Sequence, residues 1–400
     1  MESRVVYTEE VDDVEEAVKE IFDKLSDFEL QKNSLAIIFS EEEIDYPELY
    51  KALSERWDFP IIGCTTMGIL TSDGAGFKGD GMSLMVITGD ECRFAADVTE
   101  ELTLDNYQGI INDMYHSLSD QLGCEEKVIL SYGVCVTAMN HVSGDDLLRA
   151  TDSAGRAMPI FGGLASDRFN FEETRVFCND KVIKNGQVIA LIGGDIQIKY
   201  LSVNSVESMP KPKTYTVTKS KNNEVYELDG MPIVDLLEKE HFEVTKTEVM
   251  RDYLLTPFIA TVEKPDGAKV RAARNLSFLD LEKRSGLFLG DIPEGSRLEI
   301  GIVKRERVTQ SLSDVLFDMM KEIDESDHKY TTVICTSCAA RYLALSTQID
   351  EEAERWFPQM PKDITFMGMY SYGEFCPASD VVDGKDYNMF HNFTFTILAM

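Results

Sequence analysis

Three stretches decide the reading of this sequence: Pro60-Ile-Ile-Gly-Cys-Thr-Thr-Met-Gly68, Pro159-Ile-Phe-Gly-Gly-Leu-Ala-Ser-Asp167 and Ile364-Thr-Phe-Met-Gly-Met-Tyr-Ser-Tyr-Gly-Glu374. Each joins an apolar run to a glycine and reads as a Gly-centred turn. Each also follows the same order of events: an amphipathic helix, an apolar strand and a second helix. In the first unit the helices are residues 14–25 and 46–57, the strand is 35–39 (Leu-Ala-Ile-Ile-Phe), and residues 83–88 form the strand after the turn. In the second the helices are 107–122 and 144–157 and the strand is 127–132; in the third they are 312–323 and 350–357 with the strand 332–335, and residues 392–400 end the unit. Strands that are apolar throughout need cover on both faces. The fold class is therefore α/β (mixed α+β), with repeated helix-strand-helix-strand units forming layered sheets covered by helices.

Between the second and third units the pattern changes. Residues 214–304 read as short strands and tight turns, including a hairpin of 258–263 and 269–273 about Pro265-Asp-Gly267, with one helix at 232–239. This is a β-rich insert opening a second domain. Met209-Pro-Lys-Pro-Lys213 carries two prolines that disfavour continued helix or central strand. The expected organisation is a first domain over 1–208, a linker at 209–213 and a second domain over 214–400. Two domains also suit 400 residues, more than one core usually covers.

The charge excludes several functions. Thirty-nine Lys and Arg against seventy-one Asp and Glu give a net charge of −32, which repels the phosphates of nucleic acid and an anionic membrane surface alike. Apolar residues make up 44% of the chain, too many for a disordered polyanion. Eight cysteines are too sparse for a secreted disulfide scaffold and read as reduced. The first ten residues carry acids where an export signal needs a basic start. No apolar stretch approaches the roughly 20 residues that span a bilayer. The expectation is a cytoplasmic protein that neither inserts in membranes nor binds nucleic acid. Basic residues gather locally, at Lys199, Lys211, Lys213, Lys219 and Lys221 and at Lys304, Arg305 and Arg307, as solvated strand edges or as a docking face for an acidic partner.

The first two glycine stretches resemble the amino-terminal half of a FIST (F-box and intracellular signal transduction) protein. Val225-Tyr-Glu-Leu-Asp-Gly-Met-Pro232, Cys338-Ala-Ala-Arg341, Gly368-Met-Tyr-Ser-Tyr-Gly-Glu374 and His391-Asn-Phe-Thr394 resemble its carboxy-terminal half. The resemblance spans nearly the whole chain. It implies a sensory module of signal transduction that binds a small ligand such as an amino acid. No output domain is expected after the last motif, which leaves either a stand-alone sensor acting through a separate signalling output protein or a family member with another task.

The residues admit that chemistry. Gly63 and the Gly162-Gly163 pair could form backbone nests for a carboxylate, and Asp167 stands at a corner where ligands enter α/β sheets. Arg341 for a carboxylate, Glu374 for an ammonium and Tyr370 and Tyr372 as walls, with Gly373, His391 and Asn392 beside them, would recognise an amino-acid-like molecule. The alternative is an enzyme with Cys338 as nucleophile, His391 as base and Glu374 or Asn392 orienting the imidazole. A third reading is an assembly component whose acidic surface recruits a partner. Cys335 and Cys338 form a single C-x-x-C, for which a redox pair is the functional reading and a strand end the simpler one. Neither a metal nor a cofactor is expected, since no glycine stretch matches a nucleotide-phosphate loop.

Overall fold

The computed structural model describes every residue except 41–43, 74–80, 136–140, 246, 251, 346–351 and 353–360. The first unit runs β1 (Glu2–Thr8), α1 (Val14–Lys24), β2 (Asn33–Ser40), α2 (Tyr46–Leu53), β3 (Ile61–Thr65), β4 (Ile69–Thr71) and β5 (Met82–Gly89). The second runs β6 (Cys92–Val98), α3 (Tyr107–Leu122), β7 (Glu126–Gly133), α4 (Gly144–Ala154), β8 (Ile160–Leu164), β9 (Val176–Cys178), β10 (Lys181–Ile183) and β11 (Gln187–Gly194). The third opens with β12 (Lys199–Asn204) and is interrupted by the insert. The insert comprises β13 (Val206–Ser208), β14 (Thr214–Lys221), β15 (Glu224–Leu228), β16 (Met231–Pro232), α5 (Ile233–Lys239), β17 (Phe258–Glu263), β18 (Lys269–Arg274), β19 (Leu276–Asp280), β20 (Ser285–Phe288) and β21 (Arg297–Val303). The third unit then resumes with α6 (Arg305–Asp324), β22 (Thr332–Cys338), α7 (Ala339–Leu345), β23 (Thr365–Ser371), β24 (Glu374–Ser379), β25 (Asp386–His391) and β26 (Thr394–Ala399).

Three of the sheets share one build. Their strand orders are β1-β5-β2-β3-β9-β10, β6-β11-β7-β8-β24-β25 and β12-β26-β22-β23-β4. In each, the two central strands are parallel and the unit's closing strand lies antiparallel on the other side. The strand that opens each unit pairs antiparallel with its closing strand. The outer strands are exchanged in a cycle: β9 and β10 of the second unit complete the first sheet, β24 and β25 of the third complete the second, and β4 of the first completes the third. The three units are thereby interlocked.

Side-chain alternation explains the layering. On β2, Leu35, Ile37 and Phe39 face a central core shared with Val128, Leu130 and Tyr132 of β7 and with Ile334 of β22. Ala36 and Ile38 of the same strand face outward onto α1 and α2, packing with Ile21 and Leu49. Period-two alternation with both faces apolar is what sheets sandwiched between a common core and outer helices require. Helices α1, α2 and α4 begin at side-chain caps: Asp13 accepts from Glu16 N at 3.1 Å, Asp45 from Glu48 N at 3.0 Å, and Ser143 and Asp146 form a capping box on α4.

The expected Gly-centred turns are instead strand interiors. Gly63, Gly162 and Gly368 stand opposite Ile38, Ser131 and Cys335 of their parallel neighbours. A Cβ would lie 2.1 Å from Ile38 O at Gly63, 2.0 Å from Ser131 O at Gly162 and 2.1 Å from Cys335 Sγ at Gly368. Close backbone approach at one equivalent point in three sheets is why the sequence repeats a glycine there. The expected helix at 350–357 lies outside the described residues apart from Glu352. The insert has its own sheet and a core around Val225, Leu237, Phe258 and Phe288, and residues 209–213 form an exposed loop leading into it.

Candidate functional site

Several corners from different units converge on one side of the molecule. β22 ends at Cys338, where α7 begins; β23 ends at Ser371, and Tyr372 and Gly373 turn the chain into β24; Asn392 and Phe393 link β25 to β26. The loop after β8 brings Phe169 and Phe171 to the same place, and the insert closes it with Leu254, Asn275 and Leu289. Together they line a partly open pocket with a cavity volume of about 40 Å³, and none of the described side chains lining it is charged.

The loop carrying the two phenylalanines is held against its own preference. Phe169 and Phe171 both have left-handed backbone, with φ of 61° and 55°, a conformation bulky residues seldom adopt. Asp167 imposes it. The Asp167 carboxylate accepts from the backbone N–H groups of Asn170, Phe171 and Glu172 at 3.0–3.1 Å. Tyr372 fixes the other side by donating to Asp167 and accepting from Phe169 N at 2.9 Å. Phe171 then stacks on Tyr372 with centroids 4.4 Å apart and planes 21° apart. Asp167 is 1% exposed with these contacts made, so it organises the loop.

Behind the Cys338 and Ser371 walls lies a buried acid. Ser371 Oγ donates to Glu374 Oε1 at 2.7 Å and Thr394 N to Oε2 at 3.3 Å. Burial pushes the Glu374 carboxyl up to about 8 despite the hydrogen bonds from Ser371, Cys338 and Thr394 that favour its anion. It is largely neutral at pH 7. Burial, and then the neighbouring Glu374, push the Cys338 thiol well above its ordinary value even though the backbone at Ala340 and Phe393 favours the thiolate. Cys338 is thus a protonated thiol in a neutral setting, the opposite of the electropositive environment an attacking thiolate needs.

The expected triad is corrected by the geometry. The His391 ring bonds through Nε2 to the Cys376 carbonyl at 2.9 Å, and burial lowers its pKa to about 4. Among the described residues no hydrogen bond joins it to Cys338. The C-x-x-C likewise divides: Cys335 packs in the outer core of β22 while Cys338 reaches the pocket, and all eight cysteines are free.

The Arg341–Glu374 pairing is also corrected. Arg341 is fully buried and pairs with Glu352, from Nε at 2.9 Å and Nη2 at 2.6 Å. Nη1 donates to Ser205 and Ser311, and Nη2 also to the Val308 carbonyl. The guanidinium is saturated by the protein and lies outside the pocket lining. Tyr370 belongs to this network, donating to Glu352 Oε2 at 2.6 Å. Gly63, Gly162 and Gly163 serve strand contacts: a Cβ on Gly163 would lie 2.5 Å from Gly373 O. Gly373, with φ of 145°, makes the corner into β24, and Leu164 N donates to its carbonyl at 2.8 Å. Of the expected ligand residues, Tyr372 and Asn392 line the pocket; Glu374 and Gly373 stand behind it.

Four of the eight basic residues singled out in the sequence pair with acids. Lys199 pairs with Glu322, Lys213 with Glu240, Lys304 with Glu207 and Arg307 with Asp314.

Sequence reasoning missed Phe169, Phe171 and Asn275. A signal existed for the first two, since two aromatics stand in the otherwise polar run Asp167-Arg-Phe-Asn-Phe-Glu172. Asn275 had none, because its place depends on how the insert folds back.

Comparison with known proteins covers both halves. A family model described as the FIST N domain matches residues 34–231, and one described as the FIST C domain matches residues 235–377. An uncharacterised protein of Methanocaldococcus jannaschii is 23% identical over 368 residues, a match that takes in 83% of this chain; the chain spans 66% of that relative's length. A solved chain described under cyanuric acid hydrolase and structural concatenation covers 100% of this chain and 99% of its own, at 8% identity and a TM-score of 0.35, too low to carry an argument.

Proposed function

The chain belongs to the FIST family, which is associated with signal transduction, and from that membership we propose that it is a small-ligand-binding sensory protein whose ligand site is the pocket bounded by Phe171, Tyr372, Asn275 and Asn392. The observation that supports this reading most is the strained loop. Two phenylalanines in left-handed backbone cost stability, and Asp167 and Tyr372 spend their hydrogen bonds on holding them there. Such preorganisation has a purpose if the aromatic wall is to meet a ligand.

Amino-acid recognition needs an ion-pairing partner for each end of a zwitterion. Arg341 and Glu374 are both engaged by the protein, so the best-supported reading is a small molecule held by amide and aromatic groups. Output would pass to a separate signalling protein. Eight free cysteines fit a reducing, cytoplasmic setting. Among the described residues no helix is long and apolar enough to cross a membrane.

A thermal-shift screen tests the reading with amino acids, small carboxylates and neutral heterocycles. A ligand at 100 times its Kd adds about 2.7 kcal/mol to stability, and Phe171→Ala should abolish that shift. If no compound shifts the protein, or if hits are indifferent to Phe171→Ala, the pocket is not a sensory site.

A further inference from the structure

We propose that the β-rich insert is held against the rest of the molecule by a pH-sensitive latch, in which Asp291 of the insert meets Asp145 at the start of α4 and the hold tightens in acid.

The insert has its own core and meets the second and third units through polar contacts. Arg274 Nη1 donates to the Phe390 carbonyl at 3.0 Å, Val381 N to the Lys269 carbonyl at 2.9 Å, and the Tyr387 hydroxyl to Asp266 Oδ2 at 2.8 Å. The loop between β20 and β21 makes the contact with α4. Asp291 N donates to Asp145 Oδ2 at 2.7 Å, and Arg149 Nη2 donates to Asp291 Oδ2 at 2.9 Å. The insert also supplies Leu254, Asn275 and Leu289 to the pocket wall, so this hold sets how firmly that wall is fixed.

Three carboxyls, Asp145, Asp146 and Asp291, crowd the contact. Arg149 divides itself between Asp146 at 3.0 Å and Asp291, and Tyr107 donates to the same Asp146 oxygen at 3.4 Å. Arg274 spends its bonds on the carbonyls of Asp291, Ala273 and Phe390 and reaches Asp145 only at 3.9 Å. Lys264, in the turn between β17 and β18, adds a positive charge near Asp145 and Asp152, although burial holds its ammonium below the usual range. Asp291 Oδ1 is sealed from solvent with no hydrogen-bond partner among the described residues. Such an oxygen costs more on a carboxylate than on a neutral acid.

Burial first, and then the Asp145 charge, push the Asp291 carboxyl up to about 6, against the bond from Arg149. Released from the contact, it returns to its ordinary value of 3.8. Docking therefore takes up a proton. The added hold is fully present below pH 3.8 and is lost as pH rises through 6, which makes docking about tenfold weaker at pH 7.5 than at pH 5. His391, beside Arg274, is lowered to about 4 and stays neutral across that window.

Hydrogen–deuterium exchange on the full chain, corrected for the intrinsic rate at each pH, reads the latch through two amides that cross the contact, Asp291 N and Lys269 N. Amides shared by β17 and β21 lie within the insert's own sheet and report its unfolding instead. Protection of the crossing amides should fall about tenfold from pH 5 to pH 7.5, with the β17–β21 amides unchanged. Asp291→Asn still accepts from Arg149 but cannot titrate, so its protection should not vary over the same range. Asp145→Asn removes the neighbouring charge and should shrink the pH dependence without abolishing it. Wild-type protection that is flat with pH, a pH dependence that survives Asp291→Asn, or a parallel loss at the β17–β21 amides would each overturn the latch.

Discussion

Replacing Glu374 by Gln should flatten the pH dependence of stability above pH 5. The carboxyl is fully buried, and burial moves its pKa from 4.5 to about 8. A raised folded-state pKa means that the folded protein keeps a proton the unfolded chain gives up. The corresponding stability is fully present below pH 4.5 and is lost as pH rises towards 8. That shift is worth about 5 kcal/mol across the window, of which about 3 kcal/mol is already lost at pH 7. Gln does not titrate. Its amide can donate to Ser371 Oγ while its oxygen accepts from Thr394 N, so the two bonds at 2.7 and 3.3 Å in the wild type have replacements. Urea unfolding of both proteins from pH 5 to pH 8.5 should therefore give a difference curve that rises in favour of the variant, whatever the offset at pH 5. Two parallel curves would show that Glu374 titrates alike in the folded and unfolded states, and the account of a neutral acid behind the pocket would fail.

Three further outcomes follow from the geometry. Gly162→Ala should lower stability by about 3 kcal/mol or prevent folding, since its Cβ would sit 2.0 Å from Ser131 O at φ 139°; a change under 1 kcal/mol by urea titration would contradict the register. Arg341→Met should cost about 3–5 kcal/mol by stranding Glu352, and adding Glu352→Gln should recover much of it; full additivity of the two losses in a double-mutant cycle would refute the pair. Iodoacetamide at pH 7 should label the half-exposed Cys124 before the buried Cys338; preferential labelling of Cys338, followed by peptide mass spectrometry, would restore the nucleophile reading.

The three units were legible because buried sheets impose a pattern on adjacent residues. Strands such as Leu35-Ala-Ile-Ile-Phe39 must be apolar at every position, and Gly63, Gly162 and Gly368 recur because parallel strands approach closely at one equivalent point. The cyclic exchange of outer strands was not legible. Nothing in Ile69-Leu-Thr71 marks it for pairing with Met367–Met369 nearly three hundred positions away. The same limit explains the site. Arg341 was expected to stand with Glu374 and Tyr372, but the acid it pairs with is Glu352, hidden in the run Asp350-Glu-Glu352 where three carboxylates look alike. Which acid is buried is decided by packing, and packing is long-range.

The exchange also gives the pocket a route to the rest of the fold. Tyr372 is at once a wall of the pocket, the stacking partner of Phe171 and the residue leading into β24, which pairs with β8 of the second unit at Glu374 and Gly163. Its backbone N–H donates to Leu164 O at 3.2 Å, and Leu164 N donates to Gly373 O at 2.8 Å. Moving Tyr372 therefore means moving the junction between two units. A ligand can bias that junction only by as much as it prefers one arrangement over another, and the aromatic stack supplies such a preference because Phe171 and Tyr372 belong to different units. A molecule bound against Phe171 but away from Tyr372 would fill the pocket without favouring either arrangement of the units. If the pocket is the sensory site proposed above, sensing would depend on contact with both rings, which would make the Phe171–Tyr372 pair, rather than the depth of the pocket, the feature that a signalling ligand has to match.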